Sequence, residues 1–247
     1  MEKDYIDINC DVGEGVGNEE SLFPFISSCN IACGGHAGDE ETMKRIVLLA
    51  KKEKVKIGAH PAYPDKENFG RVSLAIPSET LKSTILEQIS KLMLILDGQG
   101  LELHHIKAHG ALYNDIAKDE TLASIFLDAV ENFKESTFIF VPYRSVLEKE
   151  ALKRGFKIMV EAFGDRNYNR DLSLASRSTP NALIQEPREV LEHMTNMVKN
   201  NKVVTVQGTT ENMEAETFCI HGDTPTALQI LVYLSKELPN KQIYLKK

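Results

Sequence analysis

The chain has 247 residues, of which 42% are hydrophobic and 26% charged, the balance of a soluble globular protein with one sizeable core. A formal net charge of −7 with no block of Lys or Arg argues against nucleic acid as a partner. No apolar stretch reaches the roughly 18–20 residues that span a bilayer, and Met1 to Ile6 lacks a signal peptide's apolar region, so a cytoplasmic protein with no membrane partner is expected.

Tyr5–Val12 reads as the first strand, with Asp7, Asn9 and Asp11 on one face and Ile6, Ile8 and Cys10 on the other. It runs into Gly13-Glu14, so that Asp11 and Glu14 could bind a metal or divide acid and base roles. Asp11 could equally serve only to close a turn around Gly13. Cys29–Cys33 is the second strand, followed by Gly34-Gly35-His36-Ala37-Gly38-Asp39. Asp39 suits the N-cap of a helix over Glu40–Lys52, and free amides there suit an anion, which leaves His36 as the functional candidate. The third strand, Val55–Ala59, delivers His60 into a loop that also holds Tyr63 and Arg71. A guanidinium there could clamp a carboxylate or phosphate.

A helix over Pro77–Leu96 precedes the fourth strand, His104–Ala108, on which His105 and Lys107 share a face with His109. Lys107 and His109 offer electrostatic stabilisation and proton transfer to one substrate, and His104 reads as a packing histidine. Helix Thr121–Phe133, strand Thr137–Val141, helix Ser145–Lys153 and strand Lys157–Phe163 follow, the last carrying Glu161. Asp165, Arg166 and Arg177 belong to a polar, aperiodic stretch over 165–185 that reads as a long loop or lid. Beyond it lie helix Pro187–Lys199, a short additional strand over 202–206, strand Thr217–Ile220, and helix Pro225–Leu238. His221-Gly222-Asp223 ends the last of these strands. His193, alone in its helix, reads as a surface or packing residue.

Seven strands alternating with helices, without G-x-G-x-x-G or a Walker sequence, favour a distorted seven-stranded (β/α) TIM-like barrel, with residues 1–247 as one domain. Four histidines (His36, His60, His109 and His221) follow apolar runs, which puts them at the C-terminal rim where barrel enzymes keep their chemistry. A polar interior implies a funnel for a small, polar, anionic compound. The four cysteines lack paired spacing and read as reduced, buried thiols.

The phrases INCDVGEGVGNEESLFPFISSCNIACGGHAGDEETM, IGAHPAYPDKENFGR, IKAHGALYN, EAFGDRNYNRD and CIHGDTPTA, in this order, resemble the LamB/YcsF family, understood as the A component of bacterial 5-oxoprolinase. The resemblance implies a barrel similar to polysaccharide-deacetylase barrels and ATP-dependent opening of the 5-oxoproline lactam to L-glutamate. It further implies ATP with Mg²⁺ as cofactor, and two further components, the 5-oxoprolinase subunits B and C, as partners. The family's shared residues fall here on Asp11, Glu14, His36, His60, Arg71, Lys107, His109, Asp165, Arg166, His221 and Asp223. From these, Asp11, Lys107 and His109 are expected to be catalytic, with Lys107 and Arg71 holding anionic groups and Asp11 or His109 moving protons. The others are expected to bind substrate or phosphate. By analogy with the deacetylase barrels, a protein-bound divalent metal would fall on Asp11, His60 and His109. The chain departs from the family at Ala108, usually Pro, at Leu172, usually Gly, and at Asn181, usually Gly. Two other readings stay open: a stand-alone metal-dependent amidohydrolase or deacetylase, and a non-catalytic component that binds lactam for its partners.

Overall fold

Residues 3–247 are described by a computed structural model, in which the strands form a closed ring. The first six, β1 (Asp4–Val12), β2 (Ser28–Ala32), β3 (Lys56–His60), β4 (His105–Ile106), β5 (Phe138–Pro142) and β6 (Ile158–Phe163), pair in parallel in chain order. A hairpin of β7 (Lys202–Val204) and β8 (Thr210–Asn212) stands apart as its own antiparallel sheet. β9 (Thr217–Cys219) then pairs in parallel with both β6 and β1, which closes a seven-stranded barrel. A final strand, β10 (Ile243–Leu245), adds in parallel to the start of β1.

The helices are α1 (Glu19–Leu22), α2 (Glu40–Glu53), α3 (Ser78–Gly98), α4 (Gly110–Ile116), α5 (Glu120–Ala129), α6 (Val146–Lys153), α7 (Pro187–Asn200) and α8 (Ala227–Glu237). Their starts follow from local chemistry. Asp39, Asp119 and Ser145 each accept a backbone N–H of the first turn, from Thr42, Leu122 and Glu148 respectively. Pro187 opens α7, where its missing N–H costs nothing. In α3, Leu81, Ile85, Ile89, Leu92 and Leu96 recur at helical spacing and are all buried. Each such side chain contributes roughly 1.5–3 kcal/mol when fully buried, which is what holds this long helix against the barrel wall.

Several elements differ from the sequence expectation, among them α1, β8 and β10, which it did not include. The stretch 121–133 divides into α5 and a separate 3₁₀ turn over Glu131–Phe133. α4 arises directly after His109, in a segment too short to show periodicity. The additional strand expected over 202–206 exists as Lys202–Val204 but pairs only within its hairpin.

The barrel interior is polar from floor to rim. At the floor Asp7 accepts hydrogen bonds from the hydroxyls of Ser28 and Thr217, both at 2.7 Å. One layer up, the Asn9 amide donates to Glu161 at 2.9 Å and Thr217 at 2.8 Å, and Asn30 donates to Asn9 at 2.8 Å and Asp11 at 2.7 Å. His105, fully buried, bonds Asn30 Oδ1 through Nε2 at 2.6 Å and stacks on Phe140 at 3.9 Å between centroids. Most of these buried polar groups are partnered, Asp7 Oδ2 and Glu161 Oε2 being exceptions without a hydrogen bond, and the network orients the side chains inside the barrel. The apolar faces of the same strands, such as Ile6, Ile8 and Cys10, pack outward among the helices.

Candidate active site

Where the strands end, most of the predicted residues meet at one cavity, with His36, Asp165 and Asp223 outside its lining. Asp11, Glu14, His60, Arg71, Lys107, His109, Arg166, Arg177 and His221 line it, and its volume is about 420 Å³. That size is typical of sites for small molecules. A smaller cavity of about 210 Å³ adjoins it and shares Tyr113, Phe163 and Leu174.

Lys107 stands at the base. Its Nζ lies 2.8 Å from Glu161, 3.1 Å from Asp11 and 3.2 Å from Asn9 Oδ1. Burial alone would lower the lysine pKa, but the adjacent carboxylates, Asp11 first among them, hold it well above the usual value. Asp11 is the converse: burial pushes its carboxyl up, and Lys107 with His60 outweighs that and holds it well below the usual range. Both groups are therefore charged near neutral pH. Lys107 is already shared between two carboxylates and is not a free anion receptor. Asp11, firmly ionised, accepts hydrogen bonds rather than supplying protons.

Beside this pair, Glu14 and three imidazoles form a tight group. His36 Nε2 is 2.9 Å and His109 Nδ1 is 3.3 Å from Glu14 Oε1, and His60 Nε2 is 3.0 Å from His109 Nδ1. The rings of His36 and His109 lie parallel at 3.6 Å, with His60 edge-on. Gly70, at φ +63°, makes room: a Cβ there would sit 2.9 Å from His36 Cβ and 3.1 Å from His109 Cδ2. Burial drives the pKa of His36 down to about 4, so that ring is neutral. Burial raises the Glu14 carboxyl, but the adjacent His109 and His36 imidazoles reverse this and hold it far below the usual range.

Across the cavity, His221 is backed by a buried carboxylate. Its Nδ1 lies 2.9 Å from Asp165 Oδ1, its backbone N–H donates to Asp165 Oδ2 at 2.9 Å, and Thr224 donates to the same oxygen at 3.2 Å. Burial would raise the Asp165 pKa, yet His221 lowers it overall. Asp165 is fully buried and thus orients His221, leaving Nε2 to the cavity. The expectation that Asp165 itself binds substrate does not hold in this geometry. Arg166 lines the cavity, while its Nη2 donates to Ala175 O at 2.6 Å and its Nε to Ala182 O at 3.4 Å, folding the 165–185 segment on itself. At the rim, Arg71 meets Asp223 at 2.6 Å and Arg177 meets the same oxygen at 3.7 Å. Arg177 had no partner legible in sequence, because its neighbour Asp223 lies on a different loop.

The profile of the LamB/YcsF family matches residues 6–247. The chain belongs to the LamB/YcsF family. Among its relatives, a protein of Thermococcus sibiricus, named as the A subunit of 5-oxoprolinase, is 40% identical over 244 residues, covering 96% of this chain and 95% of that protein. A protein of Pyrococcus furiosus with the same name is 37% identical over 243 residues, at 96% and 95% coverage. The crystal structure of a lactam utilization protein from Thermus thermophilus superposes with a TM-score of 0.91 at 35% identity, covering 98% of this chain and 99% of that one. An N-acetyl-β-hexosaminidase of Streptomyces plicatus, 10% identical with a TM-score of 0.54, shares the barrel fold alone.

Within this family frame, the chain's two loop departures fall on left-handed backbone. Leu172 has φ +64° and Asn181 φ +60°, conformations a glycine adopts freely. Asn tolerates the region; Leu pays about 1–2 kcal/mol in backbone strain, and its side chain packs on the core. The segment keeps its path despite both replacements.

Proposed function

We propose that this chain is the A subunit of a 5-oxoprolinase, opening the lactam of 5-oxoproline to L-glutamate with ATP, carried as its Mg²⁺ complex, and with subunits B and C. The shared name of its relatives supports the substrate and the assembly. The observation that carries the chemistry is the Asp165–His221 pair: an imidazole held by a buried carboxylate, with its other nitrogen left to a cavity that also holds arginines and ionised Asp11.

Opening the ring requires water to add to the carbonyl carbon, the C–N bond to break and the ring nitrogen to gain a proton. His221 Nε2 takes the proton from the attacking water, and Asp165 stabilises the imidazolium that forms. Asp11, held ionised by Lys107, accepts the lactam N–H and orients the ring. Two guanidiniums at the rim, Arg71 and Arg177, face a single carboxylate, Asp223. Their surplus positive charge suits the substrate carboxylate or a transferred phosphate. Phosphorylation of the amide oxygen, with loss of the N–H proton, makes the ring carbon electrophilic; water addition and C–N cleavage then give an acyl phosphate, which a second water hydrolyses to L-glutamate and phosphate.

Replacing His221 with Asn in the full assembly is expected to lower kcat by at least about 100-fold, the smaller end of a general base's contribution, while 5-oxoproline still binds. Unchanged turnover would leave this chain as a lactam-binding component whose partners do the chemistry. A second reading, amide hydrolysis with a metal and without ATP, is favoured by the convergence of Glu14, His60 and His109. It requires turnover by the isolated chain in the absence of nucleotide.

A further inference from the structure

The arrangement of hydrogens around His60 and His109 leaves a problem that neutral side chains do not solve. His60 Nδ1 lies 2.8 Å from the carbonyl oxygen of Lys107, and His109 Nε2 lies 3.0 Å from the carbonyl oxygen of Phe69. A carbonyl only accepts, so both of these nitrogens carry the ring hydrogen. The remaining nitrogens, His60 Nε2 and His109 Nδ1, are then bare lone pairs, yet they face each other at 3.0 Å. The third neighbour is an ionised carboxylate oxygen, Glu14 Oε1, at 3.3 Å from His109 Nδ1 and 3.9 Å from His60 Nε2. Three electron-rich atoms aimed at one point call for a positive charge between them, either a second proton on His60 or a metal ion.

The spacing suits a metal ion. Two ligands bound at about 2.0–2.1 Å with tetrahedral angles stand about 3.3–3.4 Å apart, and the three separations of 3.0, 3.3 and 3.9 Å bracket that value. A second nitrogen donated to a backbone carbonyl is also the usual outer support of a metal-bound histidine. We infer that Glu14, His60 and His109 form a site for a divalent ion of the zinc or iron(II) class, with its open positions toward the main cavity. Two imidazoles and one carboxylate suit such an ion, whereas Mg²⁺ prefers oxygen ligands throughout.

The geometry also sorts the neighbours. His36 lies within the same group, but its ring is parallel to that of His109 at 2°, so the two ring planes do not meet at a common point. It donates from Nε2 to Glu14 Oε1 and is a positioning residue for that ligand. Asp11, which the sequence placed in a metal set with His60 and His109, is 3.5 Å from His60 Nε2 and is held by Asn30 and Lys107. Glu14 takes its place. The site is independent of the lactam reading, since it concerns binding rather than turnover.

The test is calorimetric titration of ZnCl₂, and separately MgCl₂, into untagged, chelator-treated chain, with circular dichroism to verify folding of each variant. One zinc ion per chain is expected, with Mg²⁺ failing to compete. Glu14→Gln, which keeps the side chain's shape, and His109→Ala are each expected to weaken zinc by more than about 100-fold. His36→Ala should fall in the range of about 10–100-fold that loss of an outer support costs. No zinc uptake by the unaltered chain would overturn the proposal. So would uptake that folded Glu14→Gln leaves intact, or that is lost instead on His221→Ala, which would assign the ion to the other donor group of Asp11, Cys219 and His221.

Discussion

At the scale of single residues, Gly58 explains how a histidine fits inside the barrel. A Cβ at this position would sit 2.1 Å from His105 Nε2, and the His105 ring is fixed by Asn30 on one side and Phe140 on the other. Gly58→Ala is therefore expected to destabilise the fold by about 1–3 kcal/mol, the cost of overpacking a filled interior, as measured by denaturant unfolding. A second expectation concerns the thiols. Cys10, Cys29, Cys33 and Cys219 are all free and buried, and burial pushes the Cys33 thiol up to about 12. A thiol-directed chromogenic reagent at pH 8 should titrate none in the native protein and all four after denaturation. The residue types of the site were legible in sequence, because strand parity puts Asp11, Lys107 and His109 on inward faces. Their division of labour was not. Asp165 and His221 stand 56 residues apart, and nothing local distinguishes a carboxylate that orients a histidine from one that binds substrate.

At the scale of elements, most of the barrel could be read from alternation between strand and helix patterns. Where the reading failed, the elements were short or depended on distant contacts. β4 has only two ladder residues, and α4 begins immediately after His109, so neither carries a full period. The 165–185 segment was expected as a loop, but its attachment was hidden: Arg166 reaches the carbonyls of Ala175 and Ala182, and isolated bridges join Arg166 to Leu183 and Tyr168 to Leu174. Arg166 thus straps this segment together while also lining the cavity. Arg166→Ala should raise amide hydrogen exchange across residues 175–183 while the barrel strands stay protected. Unchanged exchange there would show that the segment is held by other contacts.

At the scale of the molecule, buried titratable groups set the response to acid. Burial holds His104 and His193 down to about 4, with Lys56 adding to the effect at His104. In the unfolded chain a histidine titrates near about 6.5. The stability gained by keeping these rings neutral is complete above that value and is lost as the pH falls toward 4. Despite burial, charged and hydrogen-bonded partners hold the carboxyls of Asp11, Glu14 and Asp165 below the usual range. Their contribution is present above about pH 4 and is lost in stronger acid. His60 runs the other way, because Asp11 outweighs burial and raises it. The melting temperature should therefore fall steadily from about pH 6.5 to 4.5, and His193→Gln should flatten that slope. A melting temperature independent of pH over this interval would contradict these assignments. Among the described residues, no helix is long and apolar enough to cross a membrane.

Lactam opening at the rim cavity as part of an ATP-driven assembly can be followed in one coupled assay. ADP and glutamate formation would be followed with 5-oxoproline present and absent, using this chain alone and then with subunits B and C. Formation of both products that depends on 5-oxoproline is predicted only in the full assembly, with its loss on His221→Asn. Glutamate release by the isolated chain without nucleotide, or no release by an assembly whose partners are verified as active, would contradict this function.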